Sequence, residues 1–392
     1  MSNRPVLLWV LASDAFGGGE RLSQRCLQGL NEHFALHLLT QRALTADFAH
    51  IPDLRIHCFE DHGLTAPHDY RHGNVLHYAR AILDQARACG AQVVHAAMHN
   101  ASWFLAAARL RHPLRARGLT LIGSLHGSLV GYYHTERQRP PTLRVRLAVW
   151  LAGRLLDGVI TPSEGVAREL FQTFKVSPAC LHTIYNGVDR ATLRQQVREA
   201  VTLPVVHQKE GYAVRWMVGA GRLSAQKDFE TLLQAFAPLA RVHPHWHVLI
   251  LGSGEREETL RQLVDALALG GRVHLVGFQS NPYPWIGSAD LFVLSSRYKG
   301  FGLVLTEAMS LGVPVIASDC PWGPGEIIRH GEDGLLFPVG DEAALSACMA
   351  SLMTDGAGRR ALARAGVARA ADFSEQAMIS GYARVLGRDG AF

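Results

Sequence analysis

The feature that most constrains this chain is the alternation, along nearly its whole length, of short β-branched or leucine-rich runs with longer helical patterns. In the first half the runs read as strands at Val6–Ala12, Val93–Ala96, Leu119–Leu125, Val159–Thr161 and Leu181–Tyr185. In the second half they fall at Arg215–Val218, His247–Leu251, Val273–Val276, Leu291–Leu294, Val313–Ala317 and Leu335–Phe337. Helical spacing fills the intervals, as at Phe229–Arg241, Glu255–Ala268 and Gly302–Leu311. Strands joined through helices pair in parallel, and parallel sheets are covered on both faces. Between Asn186 and Tyr212 the pattern weakens, and a strong strand opens at Arg215. A chain of 392 residues has room for two domains. The expected organisation is a doubly wound N-terminal domain over 1–190, a linker over 191–212, a doubly wound C-terminal domain over 213–372, and a helix over 373–392 that packs back toward the first domain. Ligands of such sheets bind outside the carboxyl ends of the strands, so the expected site is the cleft between the halves.

Several classes are set aside at this stage. The apolar run Val6–Ala12 behind Arg4 has the make-up of a minimal export signal, but it leads straight into Gly17-Gly18-Gly19-Glu20 and then Leu22, Cys26, Leu27 and Leu30 at helical spacing. Strand, glycine loop and helix is the better reading. No apolar stretch reaches the roughly 18 residues of a membrane span. Six scattered cysteines without a Cys-x-x-Cys suggest neither a disulfide framework nor a zinc knuckle, and the expected compartment is reducing cytosol. His95 and His99 stand four apart, but no third ligand is apparent and no metal site is expected.

Charge is uneven. Residues 1–200 carry a net +7 and residues 201–392 a net −2, and nine arginines between 101 and 160 face only Glu136 and Asp157. Trp103-Phe104-Leu105 and Leu147–Leu151 set apolar residues beside those arginines. Either the face is simply solvated, or it meets an anionic partner such as the cytoplasmic leaflet of an inner membrane. No nucleic-acid module appears.

Two clusters carry the chemistry. Val218-Gly219-Ala220-Gly221-Arg222-Leu223-Ser224-Ala225-Gln226-Lys227-Asp228 lies between a buried strand and a helix starting near Phe229. Glycines allow tight turning, a helix N-terminus offers free N–H groups, and Arg222 and Lys227 add two cations, which suits phosphate better than a merely solvated loop. The second cluster runs from Ser295 through Lys299-Gly300-Phe301-Gly302-Leu303 to Glu307. Glu307 sits in an otherwise apolar helix and needs a partner there, either ligand hydroxyls or an arginine.

With these residues on the page the chain resembles, over essentially its whole length, a family 4 retaining glycosyltransferase of the GT-B fold, two Rossmann-like domains facing a central cleft. The likeness runs through Gly17–Glu20, His95–Ala101, Ser124-Leu125-His126, Thr161–Val166, Tyr185–Asp189, Gly219–Lys227, Val276-Gly277-Phe278, Gly300–Met309 and Gly323–Ile328. The last stretch, behind Asp319-Cys320-Pro321, is most similar to enzymes building bacterial surface polysaccharides and lipid-linked oligosaccharides. The resemblance implies that Arg222 and Lys227 hold the donor diphosphate and that Glu307 holds the ribose hydroxyls. It implies that Phe301, Gly302 and Leu303 lie against the distal phosphate and sugar, and that Phe278 follows the strand whose end receives the base. Gly17 and Gly18 would close over the sugar phosphate, His126 would stand beside the reacting sugar, and His99 and Asn100 would stand on the acceptor side.

One position departs from the family pattern. Eight residues before Glu307 the family has a carboxylate that contacts sugar hydroxyls, and here Lys299 stands there. An ammonium cannot accept a hydroxyl proton, but it pairs with a carboxylate or phosphate, so an acidic donor sugar is one expectation and a solvent-facing lysine the other. No Asp-x-Asp is present. The resemblance therefore implies metal-free transfer from a nucleoside-diphosphate sugar, uridine being the commonest base, to a glycan or polyprenyl-phosphate-linked acceptor, on the front face and without a cofactor. The alternatives are a GT-B sugar-nucleotide epimerase and a non-catalytic partner of another transferase.

Overall fold

The computed structural model describes residues 4–13, 18–64, 74–201, 203–204 and 213–387. Gly17 and most of the second half of the expected linker lie outside the described residues. Two parallel sheets are present. The first has seven strands: β1 (Val6–Leu11), β2 (Ala35–Thr40), β3 (Arg55–Cys58), β4 (Val93–Ala97), β5 (Thr120–Ser124), β6 (Gly158–Thr161) and β7 (Leu181–Thr183). Their order is β3-β2-β1-β4-β5-β6-β7. The second has six: β8 (Arg215–Ala220), β9 (Trp246–Leu251), β10 (Val273–Gly277), β11 (Leu291–Leu294), β12 (Val315–Ser318) and β13 (Leu335–Phe337), in the order β10-β9-β8-β11-β12-β13. Both orders reverse beside the first strand of their sheet, at β1/β4 and β8/β11, which is the doubly wound arrangement.

The central strands read as continuous apolar runs because helices cover both faces. Leu7 through Leu11 are all buried in β1, and so is every residue of β9. Two strands that the sequence did not announce are β2 and β3. Neither is rich in β-branched residues, and β3 is a four-residue edge, Arg-Ile-His-Cys. β2 forms by pairing on β1 and β3 by pairing on β2, which stacks His37 on His57 with ring planes 2° apart and Nδ1 2.8 Å from Nε2. Burial, with the neighbouring His57 and Arg55, holds His37 down to about 4.

The described chain forms two compact units. The first comprises residues up to 127, 141–186 and 376 onward; the second comprises 128–140 and 187–375. The stretch 191–196, expected in the linker, belongs to the helix Arg190–Gln196 of the second unit, where Asp189 accepts from the N–H groups of Ala191 and Thr192. The helix Glu375–Gly387 delivers Met378, Ile379, Tyr382 and Leu386 into the core of the first unit, beside Trp9, Phe34 and Phe48. Gly29 makes room for it: a Cβ there would lie 2.6 Å from Cγ1 of Ile379. Full burial of such side chains stabilises by roughly 2 kcal/mol each. No helix among the described residues is long and apolar enough to cross a membrane.

Candidate functional site

In the second unit the loops leaving β8, β9, β11 and β12 interlock through glycines. Gly221 and Gly252 have φ of 149° and 138°, and a Cβ on Gly252 would overlap the Gly221 carbonyl oxygen, so these two loops lie backbone on backbone. A Cβ on Gly221 would stand 2.6 Å from the Lys227 Nζ, so its absence lets Lys227 fold back over the end of β8. The Ser295 hydroxyl donates to the Lys227 carbonyl at 3.0 Å. Gln226 and the β11 loop are tied twice, Arg297 N–H to the Gln226 carbonyl at 2.9 Å and Gln226 Nε2 to the Tyr298 carbonyl at 3.2 Å. Gly323, at φ 108°, lies beneath Phe301, whose carbonyl oxygen a Cβ would overlap.

This framework gathers three cations. Arg222 is exposed, Lys227 is half-buried, and Lys299 is only 8% exposed. The loop's acidic residue is spoken for: buried Asp228 pairs with Arg297 at 3.1 Å and accepts from the Thr231 hydroxyl at 2.9 Å. Arg297 thereby becomes a scaffold residue. Burial, then Lys299 and Arg222, pull Lys227 well below the usual lysine range. Burial also lowers Lys299, opposed by its hydrogen bond to Lys227 and by the Cys320 thiol. Burial pushes the Cys320 thiol up to about 11.

Beyond the cations the helix Leu303–Ser310 starts from Gly302, at φ 112°. Glu307 is buried and accepts from the Tyr283 hydroxyl at 2.9 Å, a tyrosine that no sequence pattern pointed to, where ligand hydroxyls or an arginine were expected. Phe278, one residue past β10, is 68% exposed. Gly300, Phe301 and Gly302 are buried, and Leu303 is half-buried. Tyr298 is a further residue the sequence did not single out. It packs on Gly131 of the helix Leu129–Glu136 and hydrogen-bonds Glu136, which with burial raises its hydroxyl. Only folding brings residues 128–140 to the β11 loop.

The first unit has its own cluster at the ends of β4 and β5. Gly18 opens the helix Gly18–Leu30, where a loop through Glu20 was expected; a Cβ on Gly19 would overlap the Met98 sulfur. Met98 itself has a φ of 75°, a conformation costly for a side-chain-bearing residue, and it opens the helix Met98–Arg111, in whose first turn His99 and Asn100 are half-buried. Ser124 Oγ lies 3.1 Å from His126 Nε2 and donates to the Ala96 carbonyl. The His126 Nδ1 is buried with no partner among the described residues. Burial and His99 hold His126 at about 4, and burial and His126 hold His95 at about 3, so both are neutral at pH 7. His95 is a core residue, its ring 4.2 Å from that of Trp9 and edge-on to Tyr382. Among the described residues no group of three or more His, Cys, Asp or Glu is placed to hold a metal.

The basic stretch 101–160 is divided between the two units, and some of its arginines are paired. Arg109 is bound by Asp157 at 2.8 and 2.9 Å and by the carbonyls of Leu119 and Leu155. Arg115 pairs with Asp84, and Arg137 and Arg139 belong to the second unit. On the first unit Leu110, Leu114, Leu143 and Leu147 are 60, 81, 81 and 52% exposed, with Arg111, Arg117 and Arg144 near them in sequence.

Two doubly wound parallel sheets, one bearing glycine loops and cations at its strand ends, define the GT-B class. Solved structures bear out that fold. Sucrose-phosphate synthase from Thermosynechococcus elongatus superposes with a TM-score of 0.81 at 22% identity, covering 99% of this chain and 100% of that one. Anabaena HepE, solved in complex with UDP and glucose, gives 0.76 at 21%, covering 98% and 100%. The chain belongs to the glycosyltransferases: residues 214–369 match the glycosyl transferases group 1 and residues 16–192 match glycosyltransferase family 4. Among curated relatives, an N-acetylgalactosamine-N,N'-diacetylbacillosaminyl-diphospho-undecaprenol 4-alpha-N-acetylgalactosaminyltransferase of Campylobacter jejuni is 28% identical over 56% of this chain. The lipopolysaccharide core biosynthesis glycosyltransferase LpsE of Rhizobium meliloti is 31% identical over 43%. The chain spans about half the length of these two relatives, 57% and 49%.

Proposed function

We propose that this chain transfers a sugar, with retention, from a nucleoside diphosphate, uridine diphosphate being the first candidate, to a glycan or lipid-linked glycan acceptor in bacterial polysaccharide or glycolipid synthesis. The carrying observation is the row Arg222–Lys227–Lys299 at the end of β8 and β11, where the carboxylate in that loop, Asp228, is already engaged by Arg297. Such a row is built for the leaving diphosphate, on which charge develops as the glycosidic bond breaks. Glu307 and Tyr283 are the hydrogen-bonding pair for ribose hydroxyls, and Phe278 stands by the base. His126 and His99, neutral at pH 7, offer lone pairs and N–H groups to the sugar and acceptor without adding charge. Transfer on one face lets the donor phosphate take the acceptor's proton. The UDP held by HepE and the undecaprenol-linked acceptor in the Campylobacter relative's name support the choice of substrates.

The test is transfer from UDP-, GDP- and ADP-sugars to lipid-linked glycan acceptors, with the anomeric configuration of the product read by NMR. Activity is expected to survive EDTA, because cations of the chain do the work of a metal; loss in EDTA with recovery on Mg²⁺ or Mn²⁺ would overturn the metal-free part. Absence of nucleotide binding by any base would overturn the whole reading. We also place the exposed leucines and free arginines of the first unit on the anionic leaflet, each basic residue near the surface contributing about 1 kcal/mol. Leu114→Asp with Leu143→Asp should abolish co-sedimentation with phosphatidylglycerol vesicles; equal sedimentation with neutral vesicles would remove this placement.

A further inference from the structure

In the first unit one hydroxyl joins the segment that carries His99 and Asn100 to the one that carries His126. Ser124, fully buried at the carboxyl end of β5, accepts the Met98 N–H at 3.3 Å. Its Oγ also stands 3.2 Å from the Ala96 carbonyl oxygen and 3.1 Å from His126 Nε2. Ser102, equally buried on the helix Met98–Arg111, completes the cluster. Its Oγ accepts the Ser124 N–H at 3.0 Å and has the carbonyl oxygens of Ala96, Met98 and Ser124 at 3.3, 3.0 and 3.1 Å. Gly123 leaves room for it, since a Cβ there would stand 2.9 Å from the Ser102 Oγ.

A serine has one hydroxyl proton and accepts from two donors. With the His126 proton on Nε2, Ser124 donates to the Ala96 carbonyl and accepts from both Met98 and His126, so the hydroxyl is fully used. With the proton on Nδ1, Ser124 must donate to Nε2 instead of Ala96, and the Nδ1–H has no acceptor among the described residues. The first arrangement makes one hydrogen bond more, whichever of its three carbonyls Ser102 serves. One such bond is worth about fivefold in the ratio of tautomers. What it leaves at Nδ1 is a lone pair, on a ring that burial and His99 keep neutral at pH 7.

We infer that Ser124 is a positioning residue: it locks His126 with the proton on Nε2, and the Nδ1 lone pair, at the strand end where ligands of parallel sheets bind, accepts a hydrogen bond from a hydroxyl of the bound sugar. The group met there is a donor, which a sugar hydroxyl is and an ionised carboxylate is not. The tautomer follows from the serine cluster alone, whereas the ligand rests on the transferase reading above.

Long-range ¹H–¹⁵N correlation spectra of the full chain labelled with ¹⁵N-histidine, at pH 7, test this, the His126 signals being those lost in His126→Phe. A protonated Nε2 and a bare Nδ1 are expected. In Ser124→Ala the tautomers should mix, the two nitrogen shifts moving toward each other, and Ser124→Thr, which keeps the hydroxyl, should restore the single form. Thermal melts establish that the variants are folded; if Ser124→Thr is not, Ser124→Cys, a weaker donor and acceptor, should give a spectrum between wild type and Ser124→Ala. UDP, UDP-glucose, UDP-galactose and UDP-N-acetylglucosamine are then added to the wild type. A sugar nucleotide that binds more tightly than UDP should move the Nδ1 resonance, and UDP alone should not. His126→Phe should lose about fivefold more affinity for that sugar nucleotide than for UDP, the worth of one hydrogen bond. A wild-type His126 protonated at Nδ1, or a tautomer ratio that Ser124→Ala leaves unchanged, overturns the inference and leaves the transferase reading intact. A sugar nucleotide that binds more tightly than UDP without moving Nδ1 overturns the hydroxyl contact. If no nucleotide binds, the transferase reading falls and the hydroxyl contact with it, while the spectra of the free protein still decide the tautomer.

Discussion

Binding of the donor should draw a proton from solution. In the free protein burial, then Lys299 and Arg222, hold Lys227 well below the ordinary lysine range. Burial is the larger cause and repulsion adds to it, two unit charges 4 Å apart near a protein surface costing about 4 kcal/mol. A bound diphosphate reverses the balance by offering Lys227 negative charge, so its pKa rises and it takes up a proton. The bound state therefore holds more protons than the free state, and affinity is greatest at low pH and falls as pH climbs above the free-state pKa of Lys227. For one proton the slope is at most tenfold in Kd per pH unit. A UDP-sugar is the suitable probe, because its diphosphate has no ionisation of its own near neutrality. Calorimetry at pH 8 in phosphate and in Tris should give different apparent enthalpies, the difference reporting up to one proton absorbed. Lys299→Met removes the like charge but not the burial, so it should reduce both the buffer difference and the pH slope. The reasoning is refuted if the wild type shows identical enthalpies in both buffers and a Kd that stays flat at every pH up to the ordinary lysine range. By the same linkage the unfolded chain holds more protons than the free folded one, so the pair's contribution to folding stability rises with pH.

Three further outcomes follow from packing and hydrogen bonding. Tyr283→Phe takes a donor from buried Glu307 and should cost about 1 kcal/mol of UDP affinity, with a smaller effect on a ligand lacking ribose hydroxyls; titration against UDP and pyrophosphate checks this. Gly323→Ala places a methyl on the Phe301 carbonyl at a φ of 108°, so the thermal midpoint and UDP affinity should fall together, and an unchanged midpoint would show that the loop gives way freely. Ile379→Ala empties the seat opposite Gly29 and should lower stability by about 3 kcal/mol in urea titration, without changing UDP affinity at temperatures where the protein is folded.

The sequence by itself determined the two doubly wound sheets, because eleven of the strands are apolar runs that no other element accommodates, and glycines mark the loops where a phosphate can approach backbone. It also determined the cations of the β8 loop and the odd lysine at 299, since charge type is a property of the residue alone. It was silent on β2 and β3, whose residues have little strand preference until β1 offers β2 an edge and β2 offers one to β3. It was equally silent on partners distant in the chain. Tyr283 and Glu307 are 24 positions apart, Tyr298 meets Gly131 across more than 160, and the Asp228–Arg297 pair that takes both residues out of the ligand's reach spans 69. A periodicity argument sees about one turn or one pleat and cannot place such meetings. Tertiary structure alone decided that Arg109 is a structural arginine, that His95 is a core histidine, and that Lys299 stands buried against Lys227, because burial and neighbouring charge, which set what a titratable group does, are made by the fold rather than by the residue.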